Sequence, residues 1–371
     1  MLAADQPVRP DPALRPDPAL RPDPALRPDP GLRPDPGLIP DPGLRREWQA
    51  PFGLDVRLTL SPHRHGGSDP TYRVDPAGAI WRTSLTPDGP GTLRITTRRP
   101  AAGRTVPAAA RAAPDAGRTA PDAASADQTL VTGQAWGPGA SWLLDRLPDQ
   151  LGGHDDLSGF TARHAIVSEL VLRHPGLRVG RTGRVFEALV PAVLEQKVVG
   201  QEAHRAWRFL LRKYGEPAPG PAPAGMAVCP PARVWARIPS WDWHRAGVEG
   251  VRARTIITAA EVAARLEQIL DLDAAEADRR LRSLPGIGVW TSAEIRQRAA
   301  GDPDAVSVGD YHLPSTVGWT LAGRITDDAG MLELLAPYAG HRYRVTRLIE
   351  LGGSAPPRRG PRMPVRDYRS F

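Results

Sequence analysis

A short glycine hairpin constrains the fold of this chain more than any other stretch. It has the sequence Leu284-Pro285-Gly286-Ile287-Gly288-Val289-Trp290-Thr291. Two glycines separated by one residue allow positive φ angles and remove Cβ atoms from the turn. The helix predicted to follow begins with N–H groups that lack intrahelical partners, and these form an anion site at the positive end of its dipole. The site suits a phosphodiester, although a bare Gly-x-Gly pair is as typical of an ordinary turn.

Asp310 follows the hairpin after a loop marked by Gly301 and Pro303. Gly309 lets the chain turn, and Pro314 is typical of the first turn of a helix. The sequence therefore predicts that Asp310 lies at the positive end of a helix, in a partly buried position. Taken alone it would be an N-cap worth about 1 kcal/mol and without chemistry. Its place after the hairpin favours a functional carboxylate.

The bulk composition excludes several classes of protein. The chain has 371 residues, enough for two domains and tails, and a formal net charge of +7, which suits a polyanionic partner. Cys229 is the only cysteine, so a disulfide framework, a four-cysteine zinc site and an iron–sulfur cluster are excluded. No apolar run reaches membrane-spanning length, and the N-terminus lacks a signal pattern. We therefore expect a cytoplasmic, nucleoid-associated protein that does not contact membranes.

The composition and periodicity of the sequence divide the chain into four regions. Residues 1–46 carry an Arg-Pro-Asp-Pro-Ala/Gly-Leu repeat, whose prolines exclude helix and sheet and predict a disordered tail, either a spacer or a docking segment. Residues 47–152 predict a small antiparallel sheet domain with a low-complexity insertion at 101–127. Residues 153–355 change to helical periodicity, and residues 356–371 form a basic tail.

Individual elements are predicted within these regions. Strands are expected at residues 54–60, 80–85, 93–96 and 129–132, with a closing helix near 142–147. Apolar stripes indicate helices near 166–171 and 186–194 and at 203–214, 232–237, 252–270, 274–283, 317–321, 331–335 and 342–351. A Pro/Ala/Gly linker at 216–231 interrupts the run.

The hairpin together with Gly309-Asp310-Tyr311 resembles the helix-hairpin-helix, Gly/Pro-loop-Asp superfamily of DNA glycosylases. Within it, the chain is similar to the AlkA-type alkylbase (3-methyladenine, class II) glycosylases over residues 48–355. The resemblance implies an α+β protein: a mostly α-helical helix-hairpin-helix domain, preceded by a small antiparallel β-sheet domain and flanked by disordered Pro-rich tails.

The resemblance also implies roles for individual residues. Asp310 would be the catalytic carboxylate. DNA contacts would come from the hairpin and from the loop that fills the gap in the opened duplex, namely Gly286, Gly288, Thr291, Gln196 and Lys197. The base pocket would be lined by Trp290, Glu294 and His341. The backbone carbonyls that would hold a structural Na⁺ or K⁺ are those of Arg282, Leu284 and Ile287.

Three residues depart from the family pattern. Lys197 replaces a bulky apolar wedge, His341 stands where an aromatic ring is expected, and Glu294 would either hydrogen-bond a base or be an exposed helix residue. Trp290 occupies the place where bifunctional members carry a Schiff-base lysine.

The function implied is that of a monofunctional DNA glycosylase in base excision repair. It would hydrolyse the N-glycosidic bond of alkylated, 3-methyladenine-like bases flipped out of duplex DNA. Asp310 would stabilise the oxocarbenium-like transition state, and no cofactor or iron–sulfur cluster would be required. The expected partner is double-stranded DNA containing a damaged base, bound by a monomer. The alternative is a catalytically weak or inactive helix-hairpin-helix DNA-binding protein.

Overall fold

The computed structural model describes residues 42–98 and 129–357. The predictions for most of the N-terminal repeat, for the insertion at 101–127 and for most of the tail at 356–371 lie outside the described residues. Over the two described ranges, no helix has the length and apolar character needed to cross a membrane.

Five antiparallel strands form the sheet domain, in the order β1-β5-β4-β3-β2. The strands are β1 Leu44–Gln49, β2 Tyr72–Val74, β3 Ile80–Thr86, β4 Gly89–Arg98 and β5 Leu130–Trp136. A tight turn joins β3 to β4, which pair in a register that places Ile80 opposite Ile95. The predicted strands at 80–85, 93–96 and 129–132 are confirmed by β3, β4 and β5.

Strand β1 takes in residues 44–46, which the sequence assigned to the proline-rich tail. It pairs with β5 from Leu44 opposite Ala135 to Gln49 opposite Leu130. Pro42 is the last proline before the strand. From that point every residue has an N–H available for the ladder, so pairing becomes possible.

The strand predicted at residues 54–60 is wrong, because this segment contains helix α1 Val56–Leu60. The Asp55 carboxylate accepts a hydrogen bond from the Leu58 N–H at 3.0 Å and caps the helix. A 3-10 turn, Ser61–His63, continues it with Pro62 in its first turn. Leu54, Val56 and Leu60 are buried in the helical form, so their alternation did not distinguish the two structures over so short a stretch.

Helices α2 Ala140–Asp145 and α3 Leu147–Gln150 close the sheet domain, as the sequence predicted. The helical region then contains α4 Ala165–Arg173, α5 Val185–Leu194, α6 Gly200–Tyr214, α7 Ala232–Trp235, α8 Ser240–Ala246, α9 Gly250–Glu261, α10 Ala263–Glu267, α11 Ala274–Arg282, α12 Val289–Ile295, α13 Leu313–Ala322, α14 Asp328–Leu335 and α15 Arg342–Gly352. Helical periodicity predicted most of these elements, whereas α8 was not predicted and α12 was expected from the hairpin. The single helix expected at 252–270 is divided into α9, α10 and a 3-10 turn, Gln268–Asp271.

Helix α5 is the centre of the helical region. Nine of its ten residues are buried, which is the pattern of a helix surrounded by others. Helices α6, α9, α10 and α12 pack against it. A second core joins α4 to α13, α14 and α15 through Leu170, Val317 and Met331. The first core holds the hairpin through Ile287, and the second holds the segment that carries Asp310.

The stretch at 216–231, expected as a linker, is a packed connection. Its ends, β6 Glu216–Pro217 and β7 Ala227–Val228, pair with each other. Its middle covers Trp81 and Trp136, whose rings stack with centroids 5.6 Å apart. The segment therefore ties the sheet domain to the helical region.

His63 is buried where the sheet domain meets the helical region. Burial, reinforced by the charges of Arg82 and Arg298, holds the pKa of His63 well below its ordinary value. Burial likewise lowers the pKa of the half-buried His204. Both imidazoles are therefore neutral in the folded protein under conditions where they take up protons in the unfolded chain.

We expect the free energy of unfolding to decrease as the pH is lowered below about 6.5, the ordinary histidine pKa. The contribution of His63 is complete above the unfolded pKa and is lost as the pH falls towards the folded pKa. Urea unfolding at pH 7.5 and pH 5.5 should give a smaller loss in His63→Gln than in the wild type, with a difference on the order of 1 kcal/mol. His244→Gln, at an exposed position, is the matched control. Equal losses in all three proteins would contradict the assignment.

Candidate active site and DNA-binding hairpin

The two hairpin glycines have different conformations. Gly286 has φ +89, and a Cβ built on it would lie 2.0 Å from the Thr255 Oγ1 of α9. Gly288 has φ −93 and ψ −176, which any residue adopts, and a Cβ there would meet no protein atom within 4 Å. Only Gly286 therefore needs a positive φ, whereas the empty space beside Gly288 leaves the backbone open to an external ligand.

The hairpin is anchored to the core on one side only. Leu281 and Ile287 are buried and Leu284 packs against the same core, as predicted, while Gly286 and Gly288 are exposed. Gly288 is the N-cap of α12. The first N–H groups of that helix have no intrahelical acceptors and lie at its positive end. The exposed edge of the hairpin is thus suited to an anion such as a phosphate.

The loop between α5 and α6 is attached to the hairpin through Gln196. Its amide Nε2 donates to the Gly286 carbonyl at 2.9 Å and to the Thr291 Oγ1 at 2.8 Å. Thr291 is 2% exposed, so a contact between Thr291 and a phosphate would have to use its backbone N–H. Gln196, Gly286 and Thr291, three of the predicted DNA contacts, are therefore connected by hydrogen bonds.

Lys197 lies at the tip of this loop. It is exposed and has φ +54, a left-handed backbone conformation unusual for a residue with a side chain. Two residues earlier, Glu195 fixes the base of the loop, since its carboxylate lies 3.5 Å from His65 Nδ1 and 3.8 Å from His204 Nε2. Burial opposes the charge of Glu195, but the hydrogen bond and charge of His65 outweigh it and lower the pKa of Glu195.

Asp310 is partly buried, and both oxygens of its carboxylate accept hydrogen bonds. Its Oδ1 accepts the backbone N–H groups of His312 at 2.8 Å and Leu313 at 2.9 Å, at the start of α13. Its Oδ2 accepts the indole N–H of Trp290 at 3.2 Å. Pro314 lies in the first turn of α13, as predicted. The structure therefore brings together Asp310 and Trp290, which the sequence separates by twenty positions.

Glu294 lies one helical turn after Trp290 and is largely shielded from solvent. Its carboxylate accepts the Arg298 Nη1 at 2.6 Å and the Ser307 hydroxyl, and its side chain is 12% exposed. Burial disfavours the charge of Arg298, but the carboxylates of Glu294 and Glu195 outweigh burial and raise the pKa of its guanidinium. Glu294 is therefore not the exposed helix residue that was one of the two alternatives, and its role in a base pocket stays a prediction.

His341 precedes α15 and contacts a different part of the chain. Its Nε2 lies 3.1 Å from the Ser158 carbonyl, and its ring meets that of Phe160 edge to face at 5.4 Å. These contacts hold the ring against the segment before α4, so its role in a base pocket stays a prediction.

The carbonyls predicted to hold a monovalent ion lie where α11 ends and the hairpin begins. Leu284 accepts the Ile287 N–H at 3.1 Å, as in a tight turn, which leaves its second lone pair available. Arg282 is the last residue of α11, and carbonyls at a helix C-terminus lack intrahelical donors and carry negative potential. A monovalent ion bound by the carbonyls of Arg282, Leu284 and Ile287 therefore stays a prediction.

Ser307, Gln297 and Arg298 also belong to the site, and sequence reasoning missed them. Gln297 donates to the Ala305 carbonyl and to the Ser307 hydroxyl, both at 2.9 Å. One signal was present in the sequence: Glu294 and Arg298 have the i, i+4 spacing of a helical ion pair. Nothing local indicated that Ser307 would meet them.

Known proteins resemble this chain over part of the sequence and in the fold. No protein-family model matches the chain. A stretch of 148 residues is 35% identical to a probable bifunctional transcriptional activator/DNA repair enzyme AlkA of Mycobacterium tuberculosis, strain H37Rv, and to its counterpart in strain CDC 1551. This stretch covers 39% of the chain but only 29% of the relative, so less than a third of that protein is matched.

Two solved structures have similar folds. The 3-methyladenine DNA glycosylase from Archaeoglobus fulgidus superimposes with a TM-score of 0.60 at 16% identity, covering 82% of this chain and 97% of that one. The Clostridium acetobutylicum 8-oxoguanine glycosylase/lyase bound to double-stranded DNA gives 0.54 at 11% identity, covering 80% and 91%. This chain has the fold of the helix-hairpin-helix DNA glycosylases. The predicted α+β fold class is confirmed, and the likeness to these glycosylases is one of fold.

The two hairpin glycines provide a matched test. We expect Gly286→Ala to destabilise the protein by about 1–2 kcal/mol or more, because a Cβ at positive φ also collides with Thr255. Gly288→Ala should change stability by only about 0.5 kcal/mol, yet weaken binding to duplex DNA, because its methyl group occupies the space of a phosphate. Thermal unfolding and fluorescence anisotropy at fixed salt measure the two effects. Unchanged DNA affinity in Gly288→Ala would contradict the close approach of the backbone.

Proposed function

We propose that this protein is a DNA glycosylase that removes alkylated, 3-methyladenine-like bases from duplex DNA in base excision repair. The observation that carries the proposal is the carboxylate of Asp310, held by Trp290 and by the start of α13 beside an anion-binding hairpin. The hairpin and the loop carrying Lys197 bind the phosphate backbone on either side of the damaged nucleotide. One sugar of the duplex is then brought to one carboxylate.

The proposed reaction is hydrolysis of the N-glycosidic bond. As the base leaves, positive charge develops on the sugar, as in O-glycoside hydrolysis. Asp310 Oδ1 is occupied by two backbone N–H groups, whereas Oδ2 has a single donor, Trp290. Because a carboxylate oxygen has two lone pairs, Oδ2 can also face the developing charge or a water. An alkylated purine already carries positive charge and departs without a general acid.

Trp290 supports a monofunctional reaction. Its indole donates to Asp310 and offers no amine where a Schiff-base lysine would act. The product is then an abasic site with both strands intact. Fold alone does not decide this point, because the Clostridium acetobutylicum neighbour is described as a glycosylase/lyase. Lys197 is the lysine connected to the hairpin, because it follows Gln196, whose side chain bonds to Gly286 and Thr291.

One observation favours the alternative of a catalytically inactive DNA-binding protein. Glu294 and His341, expected at the base pocket, are engaged with Ser307, Arg298, Ser158 and Phe160. Such a protein would keep the hairpin and its DNA affinity without releasing a base. The two functions are separated by measuring the reaction.

We expect Asp310→Asn to reduce release of 3-methyladenine from methylated duplex DNA by about 100-fold or more, since the oriented negative charge is lost. Affinity for a duplex containing an abasic-site analogue should remain within about threefold, because the hairpin is unchanged. Equal release by the wild type and Asp310→Asn would exclude the role of Asp310. If the wild type binds the duplex but releases no base, the inactive DNA-binding protein is the better description.

A second experiment tests the absence of strand cleavage. The wild type incubated with abasic duplex DNA and sodium borohydride is expected to give no covalent complex, because Trp290 cannot form an imine. Lys197→Ala should behave identically. A trapped complex that forms with the wild type and disappears in Lys197→Ala would overturn the monofunctional assignment and identify the nucleophile.

A further inference from the structure

The segment that carries Asp310 is attached to the helix before it at several points. We define the Asp310 loop as residues 305–310. At its end, Asp310 Oδ2 accepts the indole N–H of Trp290 at 3.2 Å. In its middle, the Ser307 hydroxyl donates to Glu294 Oε1. Trp290 and Glu294 are four residues apart and therefore share one face of α12.

Ser307 and Asp310 are also joined directly through the backbone. The Asp310 N–H donates to the Ser307 carbonyl at 3.2 Å, which closes a tight turn. A displacement of Ser307 is therefore transmitted to the backbone of Asp310. The carboxylate of Asp310 depends on Trp290 at one end of this turn and on Glu294 at the other.

A π-helical turn after α12 supplies a third attachment. This turn, Arg296–Ala300, ends at Gly301, which has φ +70. Within it, Gln297 is buried, and its Nε2 donates to the Ala305 carbonyl and to the Ser307 Oγ, both at 2.9 Å. The wider turn changes the direction in which side chains leave the helix, a feature frequent at functional sites. The Ser307 hydroxyl thus accepts from Gln297 and donates to Glu294.

Glu294 is itself fixed from behind. Arg298 Nη1 donates to Glu294 Oε2 at 2.6 Å, and Arg298 Nε donates to the Pro62 carbonyl at 3.0 Å. The two side chains are 12% and 16% exposed, so the pair is largely shielded from solvent. Each carboxylate oxygen of Glu294 therefore has an internal donor. This arrangement suits a support better than a reader of the base.

We propose that Glu294 is a positioning residue that sets the orientation of Asp310 through the Ser307 hydroxyl. The inference rests on the proposed glycosylase function, in which Asp310 faces the reacting sugar. Glu294 does not touch the substrate. It fixes the middle of the Asp310 loop while Trp290 fixes the carboxylate, so that Oδ2 is held towards the sugar before DNA binds. Preorganisation of this kind lowers the barrier without changing ground-state binding.

The test compares Ser307→Ala, Glu294→Ala and Glu294→Gln with Glu169→Ala. Glu169 forms an i, i+4 pair with Arg173 on α4, as Glu294 does with Arg298, but with both side chains 53% exposed. It is the matched control for loss of a Glu–Arg pair. Ser307→Ala leaves the Glu294–Arg298 pair intact and guards against a variant that fails to fold. Thermal unfolding is recorded for all four.

We expect Ser307→Ala and Glu294→Ala to reduce kcat for base release by about tenfold or more with KM within about twofold, because only preorganised transition-state stabilisation is lost. Glu294→Gln keeps an acceptor for the Ser307 hydroxyl but loses the charge that pairs with Arg298, so its kcat should lie between those of Glu294→Ala and the wild type. Glu169→Ala should match the wild type. A KM effect without a kcat effect, or wild-type kcat in a folded Ser307→Ala, would overturn the proposal.

A second measurement does not depend on activity. The indole N–H resonance of Trp290, assigned from its disappearance in Trp290→Phe, reports the hydrogen bond to Asp310. It should shift in Ser307→Ala and stay in place in Glu169→Ala. If the wild type releases no base but this shift occurs, the proposed function fails while the positioning contact stands. If the wild type is active and Ser307→Ala changes neither the resonance nor kcat, the inference fails while the proposed function stands.

Discussion

The hydrogen bonds to the Asp310 carboxylate are the interactions around which the candidate site is built, because they join two separate parts of the helical region. Three donors meet the carboxylate: the indole of Trp290 and the backbone N–H groups of His312 and Leu313. Hydrogen bonds to an ionised acceptor are stronger than those between neutral groups. They come from two helices, α12 and α13, that pack in different cores. The two cores thus bring the Asp310 carboxylate next to the helix that follows the glycine hairpin.

The second constraint is that the hairpin must approach a ligand closely while its own backbone stays fixed. Gly286 has a positive φ and packs against Thr255, which fixes the backbone. Gly288 has empty space in front of the helix, which leaves room for a ligand. Gln196 adds a link that makes the loop carrying Lys197 part of the same body. Because Glu195 anchors that loop to His65, the sheet domain contributes to the geometry of the proposed DNA surface, even though the proposed site residues lie in the helical region.

The sequence predicted features that local chemistry determines and missed those that depend on distant partners. Glycine spacing, Pro314 and helical periodicity located the hairpin, Asp310 and the helices, since each signal lies within a few residues of its element. The strand predicted at 54–60 was wrong because the alternation of apolar residues there fits a strand as well as a short helix. The hydrogen bond from the Leu58 N–H to the Asp55 carboxylate caps the helix that forms. The contact between Glu294 and Ser307 was not predicted, because Ser307 comes from another segment. Helical periodicity distinguishes exposed from buried faces of a helix. It does not predict that a charged side chain will form an ion pair inside the protein.

That buried charge has a consequence for how the site is built. Replacing a buried ion pair by apolar residues is often neutral or stabilising, so the Glu294–Arg298 pair is a poor means of holding α12 together. The pair instead fixes the orientation of the side chains. The Pro62 carbonyl holds Arg298, and Arg298 holds Glu294. Glu294 in turn holds the Ser307 hydroxyl. Each bond removes one rotational choice from the next side chain. An apolar core at the same place would hold the Asp310 loop close to α12 but would leave its register free. A reaction that depends on one carboxylate oxygen facing one sugar carbon needs that register.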